Sequence, residues 1–177
     1  EEEAYRHRCF VEFCDFINER KCPLDFFSFH GYITPDCVKA HTDYHRELLR
    51  KAGYGDVELH LNEWLAHEDL FDKNAELCYW QNHKLSSGVA ACIAAAQSSD
   101  GLDMAHVYDA RCQLSRYSPL FNPVARKPGK AYYALMYFNV LYRLGTAVKC
   151  EVAGGQGKDG FWAVAAKGEG SAAAFVV

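Results

Sequence analysis

The chain has 177 residues, half of them hydrophobic and 24% charged, the composition of one globular domain with enough apolar material to form a core. Its formal charge of −4 argues against a nucleic-acid-binding surface, which needs a basic patch. No apolar run is long enough to span a bilayer: the nearest, Ser87 to Gln97, is mostly alanine interrupted by polar residues and suits a packed helix.

Glu1-Glu2-Glu3 runs straight into helical periodicity without a signal-peptide pattern, so the sequence reads as starting part-way through a larger protein. The eight cysteines (9, 14, 22, 37, 78, 92, 112 and 150) form no Cys-x-x-Cys pair, which disfavours a zinc ribbon or a thioredoxin-type site. Several fall on apolar helical stripes, where a free thiol acts as a small hydrophobe. Buried thiols are expected rather than a disulfide framework, a weak lean toward a reducing compartment that leaves localisation open.

In chain order, Tyr5 to Arg20 carries Phe10, Phe13, Cys14 and Ile17 at helical spacing. Pro23 ends that helix, and Leu24 to His30 is an aromatic strand-type run. Thr34-Pro35-Asp36 is a helix start, Cys37 to Lys51 the helix, and Gly53 and Gly55 its stop. Val57 to Glu63 alternates Val57, Leu59 and Leu61 as a second strand. Asn74 to Gln97 is helical, Leu102 to Asp109 a third strand, and Gly129 to Leu144 a further helix.

Alternating strands and helices with connections of this length imply parallel strands in an open sheet or a closed barrel. No glycine-rich phosphate loop follows any strand, which removes the signature of nucleotide-binding open sheets. After Gly145 the pattern changes. Ala147 to Val152, Phe161 to Ala166 and Ala172 to Val177 are short strand-like runs between Gly-rich turns, an antiparallel β module beginning at 145.

Parallel barrels gather their active sites at the C-terminal strand ends. The three strands end in Ser28-Phe29-His30-Gly31-Tyr32, Leu61-Asn62-Glu63-Trp64 and Val107-Tyr108-Asp109-Ala110. Period-2 alternation puts Glu63 on the face of Val57, Leu59 and Leu61, into a barrel interior, and turns Asn62, Glu58 and His60 the other way, the last two toward the helices. Phe26, Ser28 and His30 share a face, which brings His30 to the same mouth. A carboxylate there needs donors, and His30 and Tyr32 are suitable. Trp64 offers an aromatic face of the kind that stacks on sugar rings.

The runs 23–32 (Pro-Leu-Asp-Phe-Phe-Ser-Phe-His-Gly-Tyr) and 61–64 (Leu-Asn-Glu-Trp) resemble clan A glycoside hydrolases, most closely family 39, the β-xylosidase and α-iduronidase group. Leu120-Phe121-Asn122-Pro123, Lys127-Pro128 and Ala131-Tyr132-Tyr133-Ala134-Leu135 are similar to the segment after the last barrel strand in that group. Phe161-Trp162-Ala163-Val164-Ala165-Ala166 is similar to its accessory β-sandwich. The resemblance runs from about Leu24 to the end.

It implies an α/β fold: the C-terminal part of a (β/α)8 TIM barrel, about strands six to eight, over residues 1–144, with the start of a β-sandwich over 145–177. It also implies a retaining O-glycosidase, xylosidase- or iduronidase-like, with Glu63 as nucleophile and His30 and Tyr32 holding it and contacting substrate. Asp109 is a further candidate for sugar hydroxyls, or equally a cap for the turn that follows it. In such enzymes a second carboxylate protonates the leaving oxygen from about 5–5.5 Å away. The resemblance puts that acid at the end of strand four, ahead of everything in this chain, so the segment alone is expected to be inactive.

A structural reading stands beside each role. Glu63 is otherwise a capping or ion-paired carboxylate, His30 a core histidine bonded to a carbonyl, and Tyr32 a packing residue. The whole segment is alternatively a non-catalytic carbohydrate-binding or structural remnant of a barrel glycosidase. His41 and His45 stand at i and i+4, a metal-ligand spacing, but the glutamate of a His-Glu-x-x-His site is missing and the helix belongs outside a barrel. No metal or other cofactor is expected. The expected partners are an oligo- or polysaccharide and the rest of the parent barrel, or a second copy, because a part-barrel leaves open sheet edges.

Overall fold

The computed structural model describes residues 2–66, 83–115, 117–153 and 160–177. Helix α1 (Glu2–Arg20) leads into strand β1 (Phe26–Ile33), helix α2 (Pro35–Lys51), strand β2 (Glu58–Ala66), helix α3 (His83–Gln97) and strand β3 (Met104–Val107). A two-residue hairpin, β4 (Phe121–Asn122) with β5 (Lys127–Pro128), precedes helix α4 (Lys130–Leu144). Strands β6 (Thr146–Val148), β7 (Ala163–Gly168) and β8 (Ser171–Val176) follow. The expected helical stretch from Asn74 is helix from His83 onward; residues 74–82 lie outside the described residues.

Strands β1, β2 and β3 form a parallel sheet in that order, as the strand–helix alternation implies. Local chemistry sets the element ends. Pro35 stands in the first turn of α2, where its missing N–H costs nothing, and Gly53 at φ +84° takes the left-handed turn after it. The Arg46 guanidinium ties the strand beginnings together: it donates to the carbonyls of Gly55 (3.0 Å), Val57 (2.5 Å) and Gly101, and pairs with Asp103 at 3.0 Å. Asp103 in turn accepts the Leu59 N–H at 2.8 Å.

The helices lie against one face of this sheet. Phe27 stacks on Phe10 of α1, and Phe29 on His45 of α2. Leu59 and Leu61, in register with Phe27 and Phe29, are buried among Leu49, Val38 and the small residues of α3. Ala90, Ala91, Ala94 and Ala95 are all buried, because α3 is enclosed between the sheet, α2 and α4. A methyl group added at Gly88 would meet the Ala66 side chain at 3.2 Å, so this helix approaches β2 closely.

The last three strands form an antiparallel sheet in the order β6-β7-β8, packed against α4. Trp162 and Val177 exchange backbone hydrogen bonds of 2.8 and 2.9 Å, so the terminal strand pairs along its length. Trp162, Val164 and Ala166 share a buried cluster with Ala131 and Ala134 of α4. Cys14 and Cys92 are buried, and the seven described cysteines are free thiols.

Candidate active site

The strand that carries Glu63 is irregular where it matters. Phe29 pairs with Leu61, but the next residue, His30, pairs with Glu63. On the other side Leu61 pairs with Ala105 and Trp64 with Val107, three steps against two. Both neighbours therefore agree that β2 holds one extra residue at Asn62-Glu63, a β-bulge.

This overturns the expected faces. Leu59 and Leu61 point to the helices, and unbroken alternation would have sent Glu63 there with them. The bulge shifts the phase, so Glu63 shares the opposite face with its register partner His30, and with Phe26, Ser28 and Tyr32. Glu58 and His60, expected to meet the helix layer, also lie on this face. His60 stacks on Phe26 with ring centroids 4.8 Å apart and bonds Glu58 at 2.9 Å.

Three expected site residues converge. The Tyr32 hydroxyl donates to Glu63 Oε1 at 2.5 Å, and His30 Nδ1 lies 3.6 Å from the same oxygen. The Glu63 side chain is 26% exposed and that of His30 58%, so the carboxylate is sheltered yet reachable. Burial, followed by the hydrogen bond to Glu63, raises the Tyr32 phenol well above its ordinary value, so it stays protonated and remains a donor.

Two expected site residues are placed elsewhere. Trp64, one step beyond Glu63, turns to the helix layer and is 3% exposed. It helps line a cavity of about 290 Å³ with Ile93, Ala96, Val107, Leu135 and Phe138, so its ring is not a sugar platform beside Glu63. Asp109 takes the turn-capping role. Its carboxylate accepts the Arg111 N–H (2.9 Å), the Arg111 guanidinium (2.8 and 2.5 Å) and the Ser118 hydroxyl (2.9 Å). Burial alone would raise this carboxyl, but the bonds from Arg111 and Ser118 outweigh it and hold the group below its ordinary value.

Tyr108 and Tyr117 were not foreseen. Tyr117 meets Tyr32 edge-on at 5.7 Å and Tyr108 at 5.8 Å, while Arg111 donates to the Tyr108 hydroxyl at 2.9 Å. Tyr108 ends the third strand and could have been read as Tyr32 was; nothing local marks Tyr117. His41 and His45 do not converge on an open face. The His45 ring, 6.4 Å from that of His41, packs among Phe10, Phe27, Phe29 and Tyr44 and bonds the His41 carbonyl at 2.7 Å. No group of three metal-ligating side chains occurs among the described residues.

Neither a protein-family model nor a curated protein matches this sequence. Solved structures do. A glucosidase from Croceicoccus marinus superposes over 89% of this chain with a TM-score of 0.68 and 20% identity. The fold is shared with glycosidases. Two further matches are a monomeric β-xylosidase from Caulobacter crescentus CB15 (TM-score 0.57, 12% identity, 89% of this chain) and a family 39 glycoside hydrolase, a β-xylosidase from Caulobacter crescentus (0.57, 16%, 88%). The chain spans about a third of each: 33%, 36% and 35%.

Proposed function

We propose that this chain is the C-terminal part, about strands six to eight, of a (β/α)8 glycosidase barrel, with residues 145–177 opening an accessory β module. Its reaction is the retaining hydrolysis of an O-glycosidic bond in a xyloside- or uronide-type glycan, and Glu63 is the nucleophile. The observation that carries the reading is the bulge at Asn62-Glu63, which turns a carboxylate out of the apolar core and onto a phenol and an imidazole at the C-terminal strand ends.

A glycosidic nucleophile has to be ionised, and a hydrogen bond donated to its carboxylate favours that form. Tyr32 supplies one. His30, near the same oxygen and more exposed, is placed to contact both Glu63 and a sugar hydroxyl. In the first step Glu63 attacks the anomeric carbon as the leaving oxygen takes a proton, giving a glycosyl ester. Water, giving its proton to the residue that acted as acid in the first step, then displaces Glu63 from the ester with inverted geometry, for net retention.

The proton donor must stand about 5–5.5 Å from the nucleophile. Among the described residues Glu58 is five positions back along β2, roughly 16 Å at the strand repeat, and Asp109 is held in its turn. The acid in this proposal therefore lies outside the described residues, at the end of strand four of the complete barrel if the family resemblance holds. The test is to treat the complete natural protein with an activated 2-deoxy-2-fluoro glycoside and map the label by peptide mass spectrometry. Label on Glu63 is expected. Label on another residue, or hydrolysis with inversion, defeats the assignment.

A further inference from the structure

Beyond Tyr32 and His30, the turn that follows β3 reaches back to the same carboxylate. Asp109, itself buried, grips this turn at several points. Its N–H donates to the Tyr117 carbonyl at 2.6 Å, and its carboxylate accepts the hydroxyl of fully buried Ser118. The Tyr117 N–H donates to Ser115 Oγ at 3.1 Å. The main chain on either side of the Tyr117 ring is thus held, and that ring lies edge-on against Tyr32, whose hydroxyl donates to Glu63.

We infer that Asp109 and Tyr117 are positioning residues: Asp109 sets the turn, Tyr117 braces the Tyr32 ring, and Tyr32 keeps its hydroxyl hydrogen bond on Glu63. The inference rests on the reading of Glu63 as the nucleophile. Tyr32 has two torsions and a single hydroxyl. A ring free to swing spends part of its time without that contact, whereas a ring wedged by Tyr117 keeps it. The strong local bonding of Asp109 then has a purpose that turn-capping alone does not supply. Tyr117 acts on Tyr32 through its ring, which meets the Tyr32 ring edge-on.

The test measures the rate at which an activated 2-deoxy-2-fluoro glycoside labels Glu63 in the complete protein, separately from its Kd, alongside the mobility of the Tyr32 ring by NMR on tyrosine-labelled protein. Tyr32→Phe is expected to slow labelling by about tenfold with Kd little changed. Asp109→Asn and Tyr117→Ala should each slow it by roughly threefold and loosen the Tyr32 ring, and Tyr117→Phe should do neither. In the Tyr32→Phe background Asp109→Asn should slow labelling no further. An equal slowing in both backgrounds, or none in either, overturns the brace. If Asp109→Asn does not fold, Tyr117→Ala against Tyr117→Phe carries the same decision, and equal behaviour of the two overturns it. Fluoroglycoside label on a residue other than Glu63 removes the nucleophile reading, while the mobility of the Tyr32 ring still decides the brace.

Discussion

The two faces of the β1–β2–β3 sheet use polar groups in opposite ways. On the helix side they are consumed in holding the fold: the two terminal nitrogens of Arg46 serve backbone carbonyls and Asp103, and His45 is held neutral among aromatic rings. On the other side His30, Tyr32 and Glu63 bond mainly to one another, with exposure left over for a ligand. One inserted residue separates these regimes. Without the bulge the carboxylate would sit in the wrong layer, beside Leu59 and Leu61.

The comparison breaks most completely if a carboxylate is put on the helix side. Leu61→Glu places one at a position 1% exposed, among Leu49, Val38 and the alanines of α3, where nothing offsets its desolvation. Loss of cooperative unfolding is the expected result, read by circular dichroism; a variant with wild-type thermal stability would mean that the two faces do not treat a carboxylate differently. Glu63→Gln tests the open face alone. It should lower turnover of the complete protein by about a thousandfold or more while stability stays within about 0.5 kcal/mol. A variant that keeps activity, or one that loses both activity and stability, contradicts the division.

Arg46→Met is the converse. Losing charge-assisted bonds at the strand beginnings should cost about 2–3 kcal/mol, a figure discounted because Asp103 is 44% exposed. Urea denaturation reads that loss. Turnover per folded molecule should not change, since these contacts lie at the far end of the strands from Glu63.

Much of this was legible beforehand because it is periodic or punctuated. Pro35 and Gly53 bound α2 where expected, and His30, Tyr32 and Glu63 meet where strand ends in a parallel sheet should meet. The face of Glu63 was misread through trust in unbroken alternation. The evidence was nevertheless present: apolar positions run odd through Leu59 and Leu61, then even at Trp64 and Ala66, and a phase change inside a strand is the mark of a bulge. Trp64 was misplaced by the same error. The choice for Asp109 depended on Ser118, nine residues on, and the position of Tyr117 depends on a tertiary contact that no local pattern encodes.

The smallest expected effect is a pH dependence that belongs to the helix side. Burial, only partly opposed by the bond to the His41 carbonyl, pushes His45 down to about 4, against an ordinary 6.5. Between those values the unfolded chain binds a proton that the folded protein refuses, so stability rises with pH; the contribution is complete above about 6.5 and lost as pH falls through 4. From this residue the protein should be about 2 kcal/mol less stable at pH 5 than at pH 7.5. His45→Phe keeps an aromatic ring against Phe10, Phe27 and Phe29 and removes the titration. Urea unfolding at the two pH values should therefore show a smaller acid loss in the variant, by about that amount. Equal losses in both proteins would place the acid sensitivity elsewhere and weaken the picture of a helix layer in which His45 is held uncharged.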